Sequence, residues 1–178
     1  MPPRHTLRQA AVACGGIFLA IGALAFASFK LGTLLALGSF GSSSVLLFTF
    51  PESHFSQPRS ILGGHVISSA VGLALLQVCG PAWWSLGLAV ALAAAAMMWS
   101  GTLHPPAGSN PIIIFLARPG WGFLLFPTLF GALALVLAAL AWHRLQRQPY
   151  PLYWRGAAPG PMRPAPRRGR LFTRIFIR

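Results

Sequence analysis

The residues able to do chemistry in this chain are few, and their densest group is His104-Pro105-Pro106-Ala107-Gly108-Ser109-Asn110-Pro111. An imidazole can donate to an anion, and its ordinary pKa of about 6.5 lets it take up a proton in the physiological range, as proton-coupled uptake would need. Pro105 and Pro106 lack amide hydrogens and push the residues before them toward extended backbone, so a helix arriving from Trp99 is predicted to end by about Leu103. Gly108 permits a turn, and Ser109 or Asn110 suits the cap of a new helix with Pro111 in its first turn. The free amides of that first turn, at the positive end of the helix dipole, bind anions. Gly41-Ser42-Ser43-Ser44 offers the same arrangement with three hydroxyls, and His65 is a second histidine inside apolar sequence. These residues form the predicted substrate-binding set. For each histidine the competing reading is a packed, hydrogen-bonded side chain. A residue lining a watery break loses little packing when truncated, so His104→Ala is expected to spare stability.

Other chemistries find little support. Glu52 is the one acid, which leaves a cation pathway short of ligands, and pairing with Arg59 to fix a connector is its predicted role. Gly63 and Gly64, ahead of His65, are predicted to be structural. Hydrolytic or metal chemistry needs a carboxylate beside a histidine or nucleophile, or several ligands at fixed spacing. The histidines at 5, 54, 65, 104 and 143 show no HxxxH or HExxH spacing. No catalytic residue, metal site or cofactor is predicted, and an enzyme is not expected. Cys14 and Cys79 lie in apolar runs without a CxxC pair, which suits packing.

The elements that must position these groups are membrane spans. Of 178 residues 55% are hydrophobic and only 8% charged, against about 25% charged in soluble domains. A span needs about twenty apolar residues, and Gln9 to Phe29, Ile61 to Cys79, Trp83 to Ser100 and Trp121 to Trp142 supply them, with Pro127 expected to kink the last. A retained first helix is favoured over a cleavable signal peptide, because the run from Gln9 is long enough to cross. Leu31 to Phe50 is interrupted at 38–44 and the stretch after Trp99 at 103–111. Irregular backbone at membrane depth survives only inside protein or beside a watery cavity, although a polar surface loop would also account for the prolines. The predicted fold is an all-α polytopic membrane protein of four to six transmembrane segments.

Gly41 to Phe48 lies sixty-seven positions before Gly108 to Phe115, and the two octets share glycine, serine and phenylalanine with three aliphatic matches. The chain then reads as two halves, 9–79 and 83–142, each a span, a broken segment and a span. Paired interruptions of this kind point to a transporter binding site between repeats. If the broken segments cross, the halves are inverted; if they are re-entrant, the halves are parallel. Either way both termini share one side, and Arg4, Arg8 and the nine arginines after residue 142 place it in the cytoplasm of an inner membrane. Arg59 would share that side only with six crossings. Residues 143–178, rich in proline and arginine, are predicted to be a disordered tail touching anionic lipid head groups, with no specific nucleic acid expected. So small a chain also suggests a homo-oligomer.

His104-Pro105-Pro106-Ala107-Gly108 resembles the signature of the HPP family of integral membrane proteins. A second block in the same order strengthens the resemblance: Gly41 to Phe48, Pro51-Glu52-Ser53, Gln57-Pro58-Arg59 and Gly63-Gly64-His65. Ser109-Asn110-Pro111 departs from the Ala-Thr-Ala-like continuation of the family pattern. The resemblance covers roughly residues 8 to 142 and implies a small polytopic transporter, some plant and cyanobacterial members being linked to nitrite movement. The function expected is a transporter or channel for a small anion, the alternative being a non-transporting scaffold or sensor subunit.

Overall fold

A computed structural model describes residues 6–32 and 37–153, and the described residues are helical with no strand. Six α-helices carry the fold: α1 (Leu7–Leu31), α2 (Gly38–Thr49), α3 (Pro58–Cys79), α4 (Trp83–Trp99), α5 (Asn110–Ala117) and α6 (Phe130–Leu145). Leu7–Leu31, Pro58–Cys79 and Trp121–Leu145 are long and apolar enough to cross a membrane, and Trp83–Trp99 is a shorter apolar helix. The usual pattern of a soluble core is inverted. Ser39, Ser43, Ser44, His65, Ser68, Ser69, His104, Asn110 and Thr128 are buried, whereas Phe18, Phe26, Leu116 and Leu137 are exposed. That arrangement suits hydrocarbon outside and polar contacts inside.

Only the second interruption lies where the sequence places it. Gly38 to Ser44 are helical throughout, as the first turns of α2, so no break occupies 38–44. Ser44 is compatible with the helix because its hydroxyl returns to the Gly41 carbonyl at 2.7 Å, and Ser43 Oγ lies 2.9 Å from the Ser39 carbonyl of the preceding turn. The second break falls where the prolines require. α4 stops at Trp99, and the backbone turns at Gly101 with φ +65°. A 3-10 turn over Pro105–Ser109 then leads into α5. The positive φ sits at Gly101 and not at Gly108. Pro127 lies in the middle of an irregular turn over Leu125–Leu129, within which Phe126 is non-helical.

The ends of the elements fix the path of the chain. Tyr150 donates to the Ser56 carbonyl at 2.9 Å, the Leu152 amide to Gln57 Oε1 at 2.9 Å, and His143 Nε2 to the Leu47 carbonyl at 3.1 Å. Thr6 and Arg8 line one cavity with Pro51, Glu52 and Gln148. Both ends of the described chain therefore share a face with the 50–57 connector. Arg59 joins the end of α4 to that face through the Ser100 carbonyl at 2.9 Å. On the opposite face Trp121 Nε1 donates to Gln77 Oε1 at 2.9 Å. α2, only about 18 Å long, and the still shorter α5 fall well short of a hydrocarbon core of about 30 Å. α5, with residues 100–109 ahead of it, runs from the face of Ser100 to that of Trp121.

α6 continues to Leu145, and residues 146–153 fold back on the connector, so the folded unit extends past residue 142. Burial pushes the Tyr150 phenol well above its usual range. The remaining tail, with its predicted disorder and lipid contacts, lies outside the described residues.

α3 is central, packing on α4, α5 and α6, while α1 packs on α2 and α6. Close approach is set by glycine. A Cβ at Gly131 would lie 2.3 Å from Phe40 Cε2, and one at Gly41 would meet nothing within 4 Å. We expect Gly131→Ala to lower stability by on the order of 1–3 kcal/mol, whereas Gly41→Ala is neutral or stabilising by up to about 1 kcal/mol. Thermal unfolding of both variants in detergent checks this pair.

Candidate functional site

α3 supplies the centre of the site. Gly64, His65, Ser68, Ser69 and Gly72 lie at spacings of three and four residues, so one stripe of an otherwise apolar helix is small or polar. The glycines let the second break approach. A Cβ at Gly64 would lie 2.7 Å from His104 Cβ, one at Gly63 would lie 2.7 Å from Thr102 Cγ2, and one at Gly72 would lie 3.0 Å from Pro111 Cα. Ser68 then donates to the Ala107 carbonyl at 2.6 Å, tying the 3-10 turn to α3.

His65 is fully buried and held at both ring nitrogens. Its Nε2 lies 2.9 Å from Ser43 Oγ on α2, and its Nδ1 lies 3.1 Å from Asn110 Nδ2 on α5. Asn110 Nδ2 also reaches Ser69 Oγ at 2.9 Å and the His65 carbonyl at 3.3 Å. Because that carbonyl only accepts, the nitrogen side of the amide must face it. Ser69 passes the network to Thr128 at 3.1 Å. On the other side Ser43 Oγ lies 2.7 Å from His104 Nε2, and His104 Nδ1 lies 2.6 Å from the Phe55 carbonyl. The two imidazole centres are 5.1 Å apart, and the Phe40 ring meets His65 edge-on at 4.9 Å. Ser39 Oγ and Asn110 Oδ1 are buried without a hydrogen-bond partner among the described residues.

Four of the predicted residues thus converge, His65, His104, Ser43 and Asn110, while the others sit around them. Ser42 is exposed and lines an apolar groove with Pro105 and Pro106. Gly41 and Gly108 serve as backbone, and Ser44 bonds within its own helix. Ser109 returns to the Pro106 carbonyl at 2.8 Å and makes no side-chain cap for α5. The expected helix-end anion sites are not open. The Ser42–Ser44 amides are inside α2, and at the start of α5 the Asn110 amide bonds to Ala107 while Pro111 has none. Nor do Glu52 and Arg59 pair. Glu52 is exposed and Arg59 reaches Ser100, with no ion pair between them. The sequence reading missed Ser39, Ser69, Thr128 and the Phe55 carbonyl. The polar stripe of α3 is the signal from which Ser69 was readable.

Ser43 and Asn110, sixty-seven positions apart in the sequence, hold the two nitrogens of one ring. Gly64 and Gly131, separated by the same number of positions, admit His104 and Phe40 respectively.

The model of the HPP transmembrane region matches residues 2–151. The chain belongs to this family. Two transmembrane proteins of Dictyostelium discoideum are similar to this HPP chain. One is 35% identical over 127 residues, covering 66% of the chain and 45% of the relative; the other is 33% identical over 131 residues, covering 68% and 42%. The chain therefore spans less than half the length of these relatives. No solved structure matches it.

His104 is fully buried, so truncating it strands both Ser43 and the Phe55 carbonyl. Contrary to the expectation for a cavity-lining residue, His104→Ala and Ser43→Ala should each lower stability by about 1–3 kcal/mol. Exposed Ser42→Ala should stay within about 0.5 kcal/mol of the parent protein. Thermal melts in detergent would show the difference.

Proposed function

We propose that this HPP protein moves a small anion, nitrite-like in size and charge, across the membrane, and that the side chains around His65 hold it. The observation that carries the reading is that one buried imidazole is bound by one residue from each of the two short helices, Ser43 of α2 and Asn110 of α5. A polar cluster on the seam between two similarly ordered halves is placed where a rocking motion of one half against the other would expose it to either side. The groups available to a ligand are uncharged donors: the imidazole N–H groups, the Ser43 hydroxyl and the Asn110 amide. The one carboxylate of the chain, Glu52, is exposed on the connector. Donors without nearby carboxylates favour an anion over a cation. The anion site thereby moves from helix ends to side chains.

In this reading the termini face is cytoplasmic and the membrane is the inner one, supported by Arg4, Arg8 and the basic residues after Leu145. The halves are inverted repeats. One observation favours a non-transporting scaffold instead: in this closed arrangement His65 and His104 are both 0% exposed, and the network is nearly self-satisfied.

Uptake of nitrite, nitrate and formate into proteoliposomes decides between the readings. We expect flux above empty liposomes, reduced roughly tenfold or more by Asn110→Leu, as the loss of a hydrogen bond of about 1.4 kcal/mol would produce, and unchanged by lipid-facing Leu137→Ala. No flux of any of the three anions, from protein that elutes as a folded species, favours the scaffold.

A further inference from the structure

The directions of the hydrogen bonds around Ser43 follow from valence. The Phe55 carbonyl only accepts, so His104 carries its hydrogen on Nδ1. Its Nε2 is then a lone pair and takes the Ser43 hydroxyl hydrogen at 2.7 Å. With that hydrogen committed, the 2.9 Å contact from Ser43 Oγ to His65 Nε2 needs its hydrogen from His65. His65 Nδ1 is left bare to accept the Asn110 amide at 3.1 Å. The chain runs one way, from Asn110 through His65, Ser43 and His104 to Phe55. Both rings are neutral and in opposite tautomers.

One contact remains outside this scheme. Ser43 Oγ also lies 2.9 Å from the Ser39 carbonyl and has no second hydrogen to give. If a proton is placed on His104 Nε2, the Ser43 hydroxyl turns to the Ser39 carbonyl, and its oxygen accepts an N–H from each imidazole. Every contact of Ser43 Oγ is then used, and no heavy atom has to move. Placing the proton on His65 Nδ1 instead requires the Asn110 amide to turn over and face its oxygen to the His65 carbonyl 3.3 Å away. A second proton would set two cations at ring centres 5.1 Å apart. The arrangement accommodates one proton, on His104.

The charge so created has no fixed partner. α2 presents Ser39, Phe40 and Ser43 to the rings, and α3 presents Ser68 and Ser69. The α5 segment presents Asn110, with Thr128 behind Ser69. At the connector His54 lies against Tyr153, Arg59 turns to Ser100, and Glu52 is exposed. No carboxylate of the described residues faces His104, and a buried charge without a counter-charge is strongly disfavoured. A monoanion in the cluster would supply that counter-charge. We propose that His104 is the binding site for one proton, that the Ser43 hydroxyl is the switch that admits it, and that one proton moves with each monoanion in an electroneutral step. This rests on the transport reading above.

The test has two independent arms. Solid-state nitrogen NMR of 15N-histidine protein in lipid at neutral pH should show one Nδ1-protonated ring and one Nε2-protonated ring, assigned by His104→Gln and His65→Gln. Acidification in the presence of nitrite should doubly protonate His104 alone, and Ser43→Ala should abolish the opposite-tautomer pair. In proteoliposomes, with empty vesicles subtracted, an inward proton gradient of one pH unit should raise nitrite accumulation about tenfold, whereas an imposed membrane potential should leave it unchanged. Nitrite flux indifferent to the gradient, with His104 never doubly protonated, overturns the proton site and leaves transport standing. Double protonation of His104 without flux of any anion overturns transport and coupling and leaves the proton site. Double protonation of His65 in place of His104 overturns the assignment to His104.

Discussion

Polar groups at membrane depth have no water to turn to, so the interruption before α5 and the short helix α2 persist only because their groups complete one another around His65. Its imidazole takes Ser43 from α2 on one nitrogen and Asn110 from α5 on the other. The glycines of α3 bring the second break close enough for this, and Ser68 locks the 3-10 turn by its bond to Ala107. Without that ring the two short helices, neither long enough to cross the membrane, would meet across unpaired hydroxyl and amide groups.

Much of this was legible in the sequence, for identifiable reasons. Apolar length alone marks α1, α3, α4 and the last span, and three prolines in nine residues leave no way to continue α4 into α5. The residue types that can bond in an apolar setting are so few that His65, His104, Ser43 and Asn110 could be singled out. A break was expected at 38–44 because glycine and serine weaken a helix in water. Inside the bundle the Ser44 hydroxyl returns to its own helix, Ser43 meets the two imidazoles, and Gly131 receives Phe40, so α2 holds together from Gly38. Tertiary packing overrode local preference.

What could not be read was the choice of partner. Arg59 and Glu52 are seven residues apart and opposite in charge, yet a carbonyl left free at the end of α4 claims the guanidinium. The open helix ends suggested by Ser109 are likewise closed by a preceding 3-10 turn that no residue type announces. Both outcomes turn on backbone groups, whose hydrogen-bonding needs are the same at every residue and leave no trace in composition.

Three consecutive residues of the connector face in different directions. Phe55 accepts from buried His104, while Ser56 and Gln57 accept from Tyr150 and from the amide of Leu152, beyond the end of α6. The cluster and the chain segment after α6 thus pull on one short piece of backbone, and thermodynamic linkage makes any such coupling reciprocal. A molecule that gripped residues 150–152 and shifted the connector would change the free energy of the His104 ring by some amount. A change of state at His104 would then alter the grip of that molecule by the same amount.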